Sequence, residues 1–381
     1  MQNRRALHPY FHYRHIGLFH RRPPAPPPPV MQPKPVPPPP TGVWTGLQIC
    51  EAYDWPTNLK GGGVICIVEL NGGWTQADLN ANFAAVNLPA PFVADVSVDG
   101  TKNSPSGING ADPEVMLDIV YAALSYYAAT GKMPAVYVYW GQSIAGCVLK
   151  AAADHGNAIV FAASGDNDSS DGGSTPANVD APASCPHVIG VGGTSLAHGG
   201  MGGKNETVWN DNPGQAMGEG TGGGYSTHFA TQSWQIGVPV APKGLGRMVP
   251  DMAANADPQT GYQLWVDGQW ITVGGTSIAT PIIAGLFAAI GFNVTSISWG
   301  ADEADWGATA LDQMEAAALA SVGGAEASTY FVAPMLYEHP DVFNQNIVGN
   351  NGDHSEPPNP GPCTGLGSPI GKLIAALFMT T

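Results

Sequence analysis

Between Val64 and Val191, apolar runs of strand length take turns with segments of helix length. Val64–Leu70, Ala135–Trp140, Ala158–Ala163 and His187–Val191 read as strands. Ala77–Val86, Pro113–Thr130 and Ile144–His155 read as helices. Asp112 suits the cap of the second helix, and Pro113 its first turn. Strands joined through helices lie most readily as parallel neighbours. The expected fold is therefore α/β, with a parallel sheet and its chemistry at the C-terminal ends of the strands. Gln263–Val266 and Gln269–Val273 add a hairpin about the turn signal Asp267-Gly268.

Two regions follow from composition. Residues 1–42 form a basic, proline-rich arm read as disordered, with PPAPPPPVMQPKPVPPPP at 23–40 as a polyproline II spacer. A ligand for a proline-binding module is the alternative there. Residues 43–381 are read as one catalytic-sized domain. The formal charge is −16, but residues 1–40 hold six of the 14 basic residues and no acidic one. The remainder sets eight basic residues against 30 acidic ones, a balance of −22. So acidic a body does not seek nucleic acid, and it sheds self-repulsion as pH falls. The cysteines at 50, 66, 147, 185 and 363 lack C-x-x-C spacing and suggest neither a zinc site nor a disulfide framework. No run of about 20 apolar residues would span a membrane. No signal-peptide core is visible either, which leaves the compartment open.

Past the hairpin, Gly274-Gly275-Thr276-Ser277-Ile278-Ala279-Thr280-Pro281 turns a strand-like run into an apolar helical one. Ser277 thus stands at a helix N-terminus, where free N–H groups and the helix dipole favour negative charge. An acylated serine beside an oxyanion needs such a place. A capping serine would read the same way. Glu114 and Asp118 are one turn apart on one helix face, which suits a linked pair of carboxyls and equally an ordinary acidic first turn. Asp166 follows a strand in Ser164-Gly165-Asp166, either a turn residue or a carboxyl at the catalytic rim.

In this order, Glu114-x-x-x-Asp118, Ser164-Gly165-Asp166 and Gly274-Gly275-Thr276-Ser277-x-x-x-Pro281 resemble the sedolisins, the serine-carboxyl peptidases. Val64–Leu70 with Asn71-Gly72-Gly73, Val179–Ser184 with Gly192-Gly193-Thr194, Val249–Asp257 and Cys363–Pro369 agree with that resemblance over residues 43–381. It implies a subtilisin-like fold, a mostly parallel central sheet with helices on both faces. It implies an endopeptidase with Ser277 as nucleophile, Glu114 as general base, Asp118 orienting Glu114, and Asp166 as the oxyanion-hole acid. Glu69 and Trp140 are similar to a glutamate and tryptophan that support the triad. Polypeptide substrates, a monomer and an extracellular location are expected on the same ground. A glutamate base and a protonated carboxyl donor both call for acid, with an optimum near roughly pH 3–5.

Three departures stand out. The resemblance implies a long globular propeptide, and the 42 proline-rich residues before the domain are not expected to form one. The family's calcium site is matched at Asp341 and Val342, but one expected aspartate ligand is Gly361, leaving Asp353 or Glu356 as substitutes. Finally, the stretch from Trp140 to Asp166 is short for the family. Val294–Glu303 and the helical Ala308–Ser321 look like its strand–tryptophan–helix piece, yet they follow the serine. Residues 293–323 are then an insertion, a duplication or a transplanted piece, and Trp299 rivals Trp140. Two other functions remain open: an inactive relative that binds or scaffolds, and a Ser-His-Asp protease. The latter needs a histidine base, and His155 and His187 do not stand in a His-Gly-Thr-His helix.

Overall fold

Seven strands carry the site, and all run parallel in one sheet. The computed structural model describes residues 37, 40–170, 178–212, 219–236, 246–324, 328–356 and 360–379. The arm read at 1–42 lies outside these residues except at its end. In chain order the strands are β1 (Ile65–Glu69), β2 (Phe92–Ser97), β3 (Ala135–Trp140), β4 (Ile159–Ala163), β5 (Val188–Met201), β6 (Met252–Asn255) and β7 (Val294–Ile297). In space their order is β6-β5-β4-β7-β1-β3-β2. Lys204–Val208 pairs antiparallel with β5.

Side chains alternate between two cores, as the two-residue period of a strand requires. Ile65 and Ile67 of β1 enter one core, and Cys66 and Val68 the other. Ile159 and Phe161 of β4 part in the same way from Val160 and Ala162. Helices α1 (Asp112–Thr130) and α3 (Thr276–Ile290) fill the first core, while α2 (Ile144–His155) and α4 (Ala308–Ser321) cover the second. A strand buried on both faces has no polar side to show. That is why β1 and β4 read as continuous apolar runs. No helix among the described residues is long and apolar enough to cross a membrane.

Helices α1 and α3 approach closely at Gly285. A Cβ there would stand 2.5 Å from the Ala122 carbonyl oxygen. Helix α1 begins at Asp112, with Ala111 at the cap position. The cap expected of Asp112 is therefore displaced. Its carboxylate is 1% exposed and accepts N–H bonds from Gly73, Ser106 and Gly107, which clasps the preceding loop onto α1.

The segment at 293–323 is built into the sheet. It is no appendage: β7 fills the space between β1 and β4, and α4 lies against α2. The chain passes from β3 through α2 to β4, beyond β1, and leaves a gap one strand wide. The piece that follows the serine helix fills it. Among the described residues, one strand stands at this place in the sheet, between β1 and β4.

Candidate active site

The strand ends, the start of α1 and the start of α3 meet at one edge of the sheet. Helix α3 begins with Gly275 at its cap, at φ 105°, a conformation glycine adopts without strain. A Cβ at Gly275 would also lie 2.5 Å from Asp166 Oδ2. The glycine pavement before Ser277 thus lets a carboxyl lie flat against the helix start. Asp166 arrives just past β4. Its Oδ1 accepts the Thr276 backbone N–H at 2.7 Å and the Thr276 hydroxyl at 2.8 Å.

Pro281 stands inside α3 and has no N–H to give to the carbonyl one turn back. That carbonyl belongs to Ser277, and the Ser298 hydroxyl donates to it at 3.2 Å. The same hydroxyl lies 2.6 Å from Asp118 Oδ1. The Ser277 hydroxyl donates a long 3.4 Å bond to the Ser298 carbonyl. Catalytic hydrogen bonds are often this loose before substrate arrives.

Glu114 faces Ser277, and its Oε1 is buried without a hydrogen-bond partner. Burial pushes its carboxyl well above the usual range, and the nearby Asp118 and Asp166 charges add to this; the Ser277 hydroxyl opposes them. Asp118, 0% exposed, is raised mainly by burial and then by Glu69. Glu69, also 0% exposed, is raised by burial too, with the Trp299 indole pulling it back. Two carboxylates side by side in a dry interior cannot both hold charge, so the Glu69–Asp118 pair keeps a proton between them.

The sequence expectation for Trp140 is corrected here. Its indole N–H donates to Asp95 Oδ1 at 2.8 Å, on the neighbouring strand β2. Trp299 takes the place on Glu69, donating to Oε2 at 2.9 Å. Ser298 and Thr276 were missed as site residues. Their signals were the first residue of Ser-Trp-Gly at a strand end and the residue before the candidate nucleophile. The histidines weighed earlier are engaged elsewhere: His187 pairs with Glu315 of α4, and the His155 ring lies against Tyr137.

The described residues near Asp341 and Val342 do not gather into a calcium cage, and residues 357–359 lie outside them. Calcium takes about six to eight oxygens, several from carboxylates. The Val342 carbonyl accepts the Ile370 N–H, and Gly361 exchanges backbone bonds with Gly365. Of the substitutes, Glu356 Oε2 accepts the N–H groups of Cys363 and Thr364, and Asp353 meets the Ser169 hydroxyl. Among the described residues no three acidic, histidine or cysteine side chains gather at a metal-binding spacing.

The subtilase family model matches residues 126–302. Kumamolisin from Bacillus sp. (strain MN-32) is 36% identical over 387 residues, covering 88% of this chain. The chain spans 64% of that relative's length. Sedolisin from Pseudomonas sp. (strain 101) is 43% identical over 117 residues, 30% of this chain and 19% of the relative. The solved Pseudomonas sedolisin, a serine-carboxyl proteinase bound to two molecules of pseudo-iodotyrostatin, superposes with a TM-score of 0.67 at 23% identity. That match covers 89% of this chain and 98% of the solved one, and it shows a subtilisin-like fold.

Proposed function

The chain belongs to the sedolisin family, and from that premise we propose that it is a serine-type peptidase that cleaves polypeptides in acid through Ser277, Glu114, Asp118 and Asp166. The observation that carries this reading is the row of buried carboxyls behind Ser277, Glu114 first and Asp118 and Glu69 beyond it. Glu114 takes the proton as Ser277 Oγ attacks the peptide carbonyl, then passes it to the leaving amine. Water repeats the cycle on the acyl-enzyme. Asp118 holds Glu114 in place. The developing oxyanion is met by the Ser277 N–H and by a protonated Asp166, and one such donor is worth about 10²–10³ in rate. Calcium has no step in this scheme.

Burial refines the pH expectation. A base raised above its usual value ionises later, so the acid limb of kcat/KM should lie above about pH 4.5, the ordinary glutamate range. The Asp166 donor works only while protonated, which sets the upper end of the profile. The test is a pH–rate profile on a peptide library with the full chain, with Ser277→Ala as control. A bell below neutrality, with the variant reduced at least ~10³-fold, supports the reading. A maximum in mild alkali would point to a histidine base. Absence of turnover at every pH would favour an inactive, binding relative.

A further inference from the structure

We propose that Ser298 is a positioning residue of this site, its hydroxyl tying the Asp118 carboxyl to the backbone of Ser277. The inference rests on the catalytic reading of Ser277, Glu114 and Asp118 given above. Ser298 sits one residue past β7, whose Ile297 is in register with Val68 of β1 and Ala162 of β4. Its place is therefore fixed by the middle of the sheet, and it is only 8% exposed. Its single proton points at the nearer acceptor, Asp118 Oδ1 at 2.6 Å, with the Ser277 carbonyl at 3.2 Å sharing it. That carbonyl is available because Pro281 cannot donate to it. The returning bond, Ser277 Oγ to the Ser298 carbonyl at 3.4 Å, closes a loop between the two serines. One hydroxyl thus sets where the nucleophile's peptide stands relative to the acid that orients its base.

A hydrogen bond to a carboxylate favours its charged form. Without Ser298, Asp118 would have no hydroxyl donor to its Oδ1 and would hold its proton to higher pH. The ionisable groups around Asp118 are Glu69 from β1 and Glu114 from α1, with Asp166 reaching Glu114 from beyond β4. A change at Asp118 therefore passes directly to the base.

The test compares the full chain with Ser298→Ala and Ser298→Thr, by peptide turnover across pH and by thermal melting from pH 3 to 8. Ser298→Ala should lower kcat roughly 10- to 100-fold with little change in KM, and move the acid limb downward, because an Asp118 that keeps its proton raises Glu114 less. Ser298→Thr should restore both. In melting, the loss caused by Ser298→Ala should be larger at pH 7 than at pH 4, because a more tightly held proton must be lost as pH rises. Turnover in Ser298→Ala equal to the parent's, or a loss of melting temperature that is the same at every pH with an unmoved acid limb, overturns the proposal. If the parent shows no turnover, the peptidase reading fails by itself, and the pH dependence of melting still decides whether Ser298 acts through Asp118.

Discussion

Two strands flank β1, and a tryptophan followed by glycine stands at the end of one and just past the end of the other. On one side β3 ends in Tyr139-Trp140-Gly141; on the other β7 leads into Ser298-Trp299-Gly300. Trp140 is in direct register with Glu69, yet its indole N–H goes to Asp95. Trp299 lies past the end of its strand and reaches Glu69. Being adjacent in a ladder and being bonded are different things. A strand fixes where a Cα sits, whereas the residue just past its end is free to turn its side chain into the site.

The contrast is broken or upheld most directly by exchanging each indole. Trp299→Phe removes a donor to a buried carboxyl at the back of the catalytic row, and turnover should fall about 10- to 100-fold. Trp140→Phe removes a bond to an exposed aspartate, and turnover should stay within about threefold, with a stability loss of about 1 kcal/mol. Equal losses of turnover would mean that both flanks serve the site and that the indole bond does not distinguish them.

A smaller effect sharpens the same comparison through Glu69. Glu69, Asp118 and Glu114 hold their protons more tightly folded than unfolded. Their contribution to stability is complete below the unfolded carboxyl value of about 4 and is lost as pH rises through the raised folded values. Glu69→Gln keeps an acceptor for Trp299 but removes one such proton. It should raise stability at pH 7, where folding holds a proton that the unfolded chain releases, and leave stability at pH 3 unchanged. Denaturant melts at the two pH values check this. An equal change at both would place the proton elsewhere in the row.

Much of this was legible because the relevant spacing is local. Glu114 and Asp118 share a face through the helical period alone, and the α1 pattern of Met116, Ile119, Val120 and Ala123 fixed that face against the core. Asp166 and Ser277 were readable from strand-to-turn and turn-to-helix junctions. The position of β7 was not, because a crossover fixes handedness and direction but not how many strands are skipped. Its composition hid it further. Thr295 and Ser296 are both 0% exposed, with hydroxyls that have no hydrogen-bond partner, where an apolar run is the usual mark of a central strand. The rivalry of Trp140 and Trp299 followed from the same gap.

The smallest expected effect comes from moving the segment at 293–322 to another place in the chain. Both ends of this segment meet the junction between α2 and β4. Asn293 donates to the carbonyls of His155 and Asn157, and its own carbonyl accepts the Ile159 N–H. At the other end the Ser321 carbonyl accepts the Ala158 N–H, and its hydroxyl donates back to Ala158. The flanks left behind are also close, with the Phe292 and Tyr330 rings 5.6 Å apart. Moving residues 293–322 to a point between Asn157 and Ala158, and joining Phe292 to Gly323, asks the chain to make the same sheet in a different order. Packing and hydrogen bonds are unchanged, and loop closure varies only as the logarithm of loop length. Turnover should therefore stay within about threefold and stability within about 1 kcal/mol. An intact, folded rearranged chain that lost turnover would show that the covalent run from Ser277 through α3 and β7 to Ser298 itself holds the nucleophile. Contact alone would then not explain why the serine helix and its supporting strand are consecutive in this chain.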